Sequence, residues 1–347
     1  MTSPPSLRVV VADDSAFMRR LLTDALQRSG HTVVAAVEDG DQALKACRGL
    51  HPDVLTLDLA MPGLDGLGVL RGLREEASPV PVVVVSAFSP AHGARAVDAL
   101  AEGAVDLVAK PAAGEALQGF LAELSEKVLL AASSRRAGRA PSGRPAPPPA
   151  ASRGGSARAS RPRAVVIACS TGGPRALAEL LPKLPSPLGA GCLIVQHMPP
   201  GFTGSLAERL DRASVLNVRE AASVDRLEPR TVLVAPGGHH LRIRPDRTTV
   251  LDEEAPIGGL RPRADITIAD AARTFGKDLL LVVLTGMGKD GLEGALEVRR
   301  QGGRILAEAE SSCTVYGMPR AIVEANLADA VHDLSRLPET IAAEAGG

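Results

Sequence analysis

Residues 163–181 read RAVVIACSTGGPRALAELL. The run from Ala164 to Cys169 is continuously apolar and partly β-branched, the pattern of a strand covered on both faces. Gly172 and Gly173 break it, and Pro174 then opens a stretch with the spacing of a short helix. A buried strand that turns at once into a helix is half of a β-α-β unit, which implies a parallel sheet and an α/β fold. Ser170 stands at the turn. Its hydroxyl has three readings there: a nucleophile, part of a phosphate cradle, or a helix cap.

The same alternation extends downstream. GCLIVQH, TVLVAPGG, LLLVVLTG and GRILAE read as further strands, and HHLRIRPDRTTVLDEE reads as a hairpin around Pro245-Asp246. Upstream, LRVVVAD, HTVVAAV, DVLTLDL, VPVVVVSA and VDLVAK are strand-like, with helical stretches such as SAFMRRLLTDALQRSG and DGDQALKACRGL between them. Between the two halves lies SSRRAGRAPSGRPAPPPAASRGGSARASRPR, with eight Arg and no acidic residue. Such a segment cannot bury a core, and Pro with Gly keeps it extended or mobile. It is expected to be a flexible hinge, with a basic docking segment for an acidic partner as the alternative. The expected organisation is therefore two doubly wound parallel-sheet domains, 1–132 and 164–347, joined by a linker over 133–163.

The totals narrow the function. A chain of 347 residues with 45% apolar content suits two domains. A net charge of -1 gives no field that draws the chain to nucleic acid or membrane. There is no Trp and only one Tyr, which argues against stacking on single-stranded nucleic acid. Neither a helix-turn-helix pattern nor a basic recognition helix stands in the second half, so no nucleic-acid partner is expected. No apolar run approaches the ~18 residues of a membrane span, and the N-terminus lacks the pattern of a signal peptide. The four Cys are scattered without zinc spacing and read as reduced thiols of a cytoplasmic protein.

In the first half, chemistry-bearing residues stand at the ends of the expected strands: Asp13 and Asp14, Asp58, Ser86, and Lys110 before Pro111. Carboxyl ends of strands converge in a doubly wound sheet. Three carboxylates gathered there repel one another unless a cation sits among them, and hard oxygen ligands suit Mg2+. A carboxylate beside a divalent cation, a hydroxyl and an ammonium can attack a phosphoryl donor. The motifs VVVADDSAFMR, LDLAMPGLDG, VVVVSA and LVAKP, over residues 7 to 130, resemble those of response-regulator receiver domains, which have a flavodoxin-like fold. The resemblance implies that Asp58 accepts phosphate from a histidine kinase and that Asp13, Asp14 and Asp58 hold Mg2+. It further implies that Ser86 and Lys110 contact the phosphoryl group, and that Lys110-Pro111 is a cis bond. Ala60 departs from the pattern. Many relatives carry a polar or acidic side chain there, near the water that attacks the phosphoryl group.

In the second half, ACSTG is a near form of the G-x-S-x-G elbow, with Ala168 in place of the first Gly. His197 and Asp290 stand at two other strand ends, so the three share one sheet edge. Asp290 could fix the tautomer of His197 while His197 takes the serine proton, and the glycine-rich turns could supply an oxyanion hole. The order Ser, His, Asp is not that of α/β-hydrolases, chymotrypsin or subtilisin. Gly286 to Gly291 also fit G-x-G-x-x-G, with Glu308 near a ribose-binding offset, but Asp290 would then face a pyrophosphate. STGGP, QHMPPGFTGSLAERL, VLVAPGGHH, RPRADITI, LTGMGKDGLEGAL and CTVYGMPRAI resemble the catalytic domain of the chemotaxis protein-glutamate methylesterase family, which is Rossmann-like. With the receiver and linker, the resemblance covers nearly the whole chain.

It implies that Ser170 is the nucleophile, His197 the base and Asp290 the orienting acid. The Met287 backbone would lie near the oxyanion, and Thr171 would line the site. The implied reactions are demethylation of glutamyl methyl esters on methyl-accepting chemoreceptors and deamidation of receptor glutamines, with a chemotaxis histidine kinase as phosphodonor. Acyl chemistry of this kind needs no metal in the second domain, and no direct membrane insertion is expected. His239 and His240, adjacent on a strand, point to opposite faces and suit a surface or groove role rather than one metal ion. The unphosphorylated receiver is expected to cover the Ser170 edge. The competing reading is a phosphorylation-gated binding module with an unused esterase centre, supported only by Ala168.

Overall fold

The computed structural model describes residues 6–87, 90–111, 117–137 and 163–346. The chain divides into two compact units, Met1–Gly143 and Arg144–Gly347. The first alternates β1 (Arg8–Ala12), α1 (Ala16–Arg28), β2 (Thr32–Val37), α2 (Gly40–Leu50), β3 (Val54–Leu57), α3 (Gly66–Glu75), β4 (Val82–Ser86), α4 (Pro90–Glu102), β5 (Asp106–Ala109) and α5 (Leu117–Ala137). Its five strands form one parallel sheet in the order β2-β1-β3-β4-β5. β3 and β4 are buried along their whole length, as continuous apolar runs require. The edge strands β2 and β5 are only partly covered, β2 the more so. The chain leaves β1 in one direction for β2 and in the other for β3, so the strand order reverses beside β1, the place where such sheets bind ligands. α5 continues to Ala137, so the first residues of the expected linker are helical; residues 138–162 lie outside those described.

The second unit holds β6 (Ala164–Cys169), α6 (Gly173–Leu180), β7 (Cys192–Gln196), α7 (Phe202–Ala213), β8 (Asn217–Glu220), β9 (Thr231–Val234), β10 (His240–Ile243), β11 (Thr249–Asp252), α8 (Ala264–Phe275), β12 (Leu279–Val283), α9 (Leu292–Arg300), β13 (Arg304–Glu308), α10 (Met318–Glu324), β14 (Ala330–His332) and α11 (Leu337–Ala345). Seven strands make a parallel sheet in the order β14-β13-β12-β6-β7-β9-β8. β10 and β11 form the expected hairpin around Pro245-Asp246. β6 is central and wholly buried, flanked by β12 and β7, which are buried too. Strand order reverses between β6 and β12, and this places the carboxyl end of β6 at the switch point. One face of the sheet is covered largely by α8 and α9, whose Ile268, Ala271, Ala272, Ala295 and Val298 join the strands in a continuous apolar core.

The X–Pro cis bonds of the described residues are Ser186–Pro187 and Arg261–Pro262. Lys110–Pro111 is not one of them, contrary to the expectation from resemblance. The energetic preference between the X–Pro isomers is small, and Lys110 reaches its carboxylate partners without the cis form.

Candidate active site

Sheet register brings the second site together. Cys169 on β6 pairs with Gln196 on β7, so Ser170 and His197 each follow the last paired residue of neighbouring strands. On the other side Val283 of β12 pairs with Ala168, and the Ser170 N–H donates to the Thr285 carbonyl at 3.0 Å. Ser170, His197 and the loop carrying Asp290 therefore meet at one edge. His197 Nε2 lies 2.7 Å from Asp290 Oδ2, and both side chains are nearly buried. An ionised carboxylate can only accept, so Nε2 carries a proton, and in the neutral ring Nδ1 keeps the lone pair. No hydrogen bond joins Ser170 Oγ to His197 among those of the described residues. Catalytic contacts of this kind often close only on substrate.

The serine turn answers the question raised by its sequence. The N-cap of α6 is Gly172, at φ 80°, with no side-chain cap bond, so the Ser170 hydroxyl is not used as a cap. A Cβ on Gly172 would meet the Thr314 side chain and the Thr285 hydroxyl, which is why glycine stands there. Ala168, by contrast, lies inside β6, paired on both sides and without positive φ. The strain that a missing first Gly would bring is absent, and with it the support for an unused centre. Gly286 packs against Ser170 so closely that a Cβ would strike the Ser170 Cβ and N atoms. The next residue, Met287, is exposed. Thr171 is buried, and its carbonyl accepts from the Thr285 hydroxyl at 2.9 Å.

Asp290 is held by more than His197. Its Oδ2 also accepts from Ala264 N at 2.7 Å, and its Oδ1 accepts from Asp265 N at 3.0 Å and Gly291 N at 2.9 Å. Burial alone would raise its pKa; the His197 bond and charge and the N–H groups of Asp265 and Ala264 outweigh it and hold the carboxyl far below its usual range. A carboxyl depressed on folding contributes stability above its unfolded pKa of ~3.9, and that contribution is lost as pH falls below it. Asp290→Asn is therefore expected to show a shallower loss of stability than the parent below about pH 4, measured by urea unfolding of the second unit at pH 3 and pH 7. Equal pH dependence would show that the charge is not stabilised by folding.

One residue that sequence reading passed over, Gln196, helps complete the site, and others take places different from those expected. Gln196, a lone polar residue in an apolar strand, donates its amide to the Ser170 and His197 carbonyls, each at 3.0 Å, and so ties the two turns together. Glu308 is fully buried and accepts from Thr285 N at 2.8 Å and Ser312 Oγ at 2.9 Å. It is occupied below the serine turn, and carboxylates already fill the start of α9, so the dinucleotide reading fails. His240 is fully buried, with Nδ1 accepting from Arg263 N at 3.2 Å; it supports the approach to α8 and has no surface or groove role. His239 is part-exposed beside Glu253. Burial pushes the cysteine thiols up, Cys47 to about 11 and Cys169 higher still, so Cys169 next to Ser170 is no thiolate at neutral pH.

In the first unit, Asp13, Asp14 and Asp58 bring carboxylate oxygens within 4.8 Å of one another. Lys110 Nζ lies 2.7 Å from Asp13 Oδ2 and 2.6 Å from Asp58 Oδ2. Burial raises the Asp13 pKa, and the Asp58 charge adds to this against the opposing pull of Lys110. Three acids facing one ammonium leave excess negative charge, and an all-oxygen donor set fits a hard divalent cation such as Mg2+. Ser86 is buried and its hydroxyl donates to the Ala87 carbonyl at 3.4 Å, not to Asp58. Ala60 is exposed and gives Asp58 only its N–H, at 3.4 Å. If Asp58 carries phosphate as the resemblance implies, Ala60→Glu is expected to speed its loss several-fold, followed as decay of the phosphorylated protein. An unchanged lifetime would contradict this expectation.

Among the described residues no helix is long and apolar enough to cross a membrane. Residues 165–341 match the CheB methylesterase family, and residues 9–122 match the response regulator receiver domain. A protein-glutamate methylesterase/protein-glutamine glutaminase of Symbiobacterium thermophilum is 42% identical, over 98% of this chain and 97% of its own. One from Myxococcus xanthus is 45% identical, over 94% and 95%. The crystal structure of the Thermotoga maritima CheB methylesterase catalytic domain matches 52% of this chain and 97% of its own, with 42% identity and a TM-score of 0.50.

Proposed function

The chain belongs to the CheB methylesterase family, and from that premise we propose that it removes methyl groups from glutamyl esters of methyl-accepting chemoreceptors, and deamidates receptor glutamines, through an acyl-enzyme on Ser170 under the control of Asp58. The observation that carries this reading is the 2.7 Å bond from His197 Nε2 to Asp290 at the edge where Ser170 stands. With Nε2 engaged, Nδ1 is the nitrogen that takes the Ser170 proton as Oγ attacks the ester carbonyl. The N–H of Met287 faces the developing oxyanion, and Thr171 lines the same turn. Asp290, held ionised, stabilises the imidazolium. His197 then gives its proton to the departing methoxide, and methanol leaves. Water, deprotonated by the same nitrogen, releases the glutamate carboxylate and restores Ser170. For a glutamine the leaving group is ammonia.

In the receiver domain Asp58 is the phosphoryl acceptor, and a chemotaxis histidine kinase is the donor. Asp13, Asp14 and Asp58 would hold Mg2+, which when bound neutralises charge on the transferring group. Lys110, already against Asp58, meets a phosphoryl oxygen, and the Ser86 hydroxyl turns to another. The reaction belongs in the cytoplasm, where four unpaired thiols stay reduced. A phosphodonor is expected to raise methanol release several-fold in the parent and not in Asp58→Asn. A fragment starting at Arg161 is expected to exceed the unphosphorylated whole chain; equal rates would remove any inhibitory role of the receiver.

A further inference from the structure

The acid that holds His197 is itself held by an exchange of caps between two helices. Asp290 precedes α9, yet it accepts the first N–H groups of α8, from Ala264 and Asp265. Asp265 is the second residue of α8, yet its Oδ1 accepts the first N–H groups of α9, from Gly291 at 2.8 Å and Gly294 at 2.9 Å. Neither helix has a side-chain cap from its own N-cap residue, Arg263 for α8 and Gly291 for α9. Each therefore depends on the carboxylate lent by the other, where its dipole favours negative charge. The helices come close enough for this because Gly294 has no Cβ; one there would strike Ile268.

The two carboxylates compete for one donor. Gly291 N lies 2.8 Å from Asp265 Oδ1 and 2.9 Å from Asp290 Oδ1. Arg263 keeps both anions in place, with Nη2 2.7 Å from Asp265 Oδ2 and Nε 3.5 Å from Asp290 Oδ1. Among the described residues, the titratable and charged groups against Asp290 are thus His197, Asp265 and Arg263. Without the Asp265 carboxylate, Gly291 N–H and the whole Arg263 guanidinium turn to Asp290 Oδ1, on the side away from His197. The pull would rotate the Asp290 carboxylate out of line with Nε2.

We propose that Asp265 is a positioning residue of the catalytic centre: by sharing Gly291 N–H and holding Arg263, it keeps the Asp290 carboxylate aimed at His197. The effect on turnover rests on the reading of Asp290 as the orienting acid; the effect on geometry does not. Because Asp265 acts through Asp290, its loss is expected to lower kcat and spare KM.

The test uses the full chain with Asp265→Ala and Asp265→Asn. Two quantities are measured: steady-state methanol release from methylated receptor membranes, and the downfield NMR resonance of the His197 Nε2 proton. Asp265→Ala is expected to lower kcat by about 10- to 100-fold, on the scale of lost supporting hydrogen bonds, with KM within about twofold and the resonance displaced or lost. Asp265→Asn keeps an acceptor for the α9 N–H groups and loses the charge on Arg263. It is expected to fold like the parent and to displace the resonance, with a smaller fall in kcat. A parental resonance in the folded Asn variant, or a rise in KM without a fall in kcat, overturns the proposal. If the parent itself released no methanol, the esterase reading would fail, and the resonance alone would still decide the role of Asp265.

Discussion

Ser170→Ala is expected to lower ester hydrolysis by about 10⁵-fold, the scale on which a serine hydrolase loses turnover with its nucleophile. That corresponds to roughly 7 kcal/mol of transition-state stabilisation. Stability should hardly change, because the Ser170 hydroxyl neither caps α6 nor bonds His197, while the backbone bonds of the residue, to Thr285, Gly173 and Gln196, do not involve it. The pairing of lost turnover with kept stability separates a nucleophile from a structural serine. It is measured by methanol release together with urea unfolding. Residual activity within tenfold of the parent would move the nucleophile elsewhere.

Asp290→Asn is expected to lower kcat by about 10³- to 10⁴-fold, and here stability falls as well. The reason lies in the donor count. All four hydrogen bonds of the carboxylate are acceptances, His197 Nε2 and Ala264 N on Oδ2 and Asp265 N and Gly291 N on Oδ1, and the Arg263 guanidinium adds an ion pair to Oδ1. An asparagine must present its NH2 to one of these pairs. Facing His197, it forces the imidazole proton to Nδ1, where no lone pair is left for Ser170. Facing Gly291, it meets two N–H groups at the starts of α8 and α9. Either way at least one buried donor loses its partner, at a cost of about 1–3 kcal/mol. Turnover and unfolding free energy measured together check this, and a variant with parental kcat would show that Asp290 does not set the tautomer.

The parts of the fold legible in the sequence were those with continuous apolar runs. β3, β4, β6, β7 and β12 are buried on both faces, and burial forces the pattern that gives them away. β8, with the sequence NVRE, and β14, with AVH, are short and stand at the sheet edges, where solvent removes the need for apolar residues. They carry no pattern to read. α5 runs on into Arg-containing sequence because a helix propagates along residues of good propensity without needing a core.

Site residues followed a similar rule. Ser170, His197 and Asp290 were legible because each stands at the end of an obvious strand or in the turn that follows it. Arg263 and Asp265 were not, since they open a helix that follows a long irregular stretch, and only the tertiary approach of α8 to α9 brings them to Asp290. His240 departs from its expected surface or groove role for a related reason. Alternation along a strand says which neighbours oppose each other, but not which face is covered; α8 packs over the hairpin and buries it. At Ala168 the elbow motif places a glycine, whereas this turn puts its left-handed residue at Gly172.

The most direct test of the whole account is methanol release from methylated receptor membranes by the full chain, with and without a small-molecule phosphodonor for Asp58. Release that rises with the phosphodonor, and that vanishes in Ser170→Ala under both conditions, is the expected result. Release that persists in Ser170→Ala, or none from the parent in either condition, would contradict it.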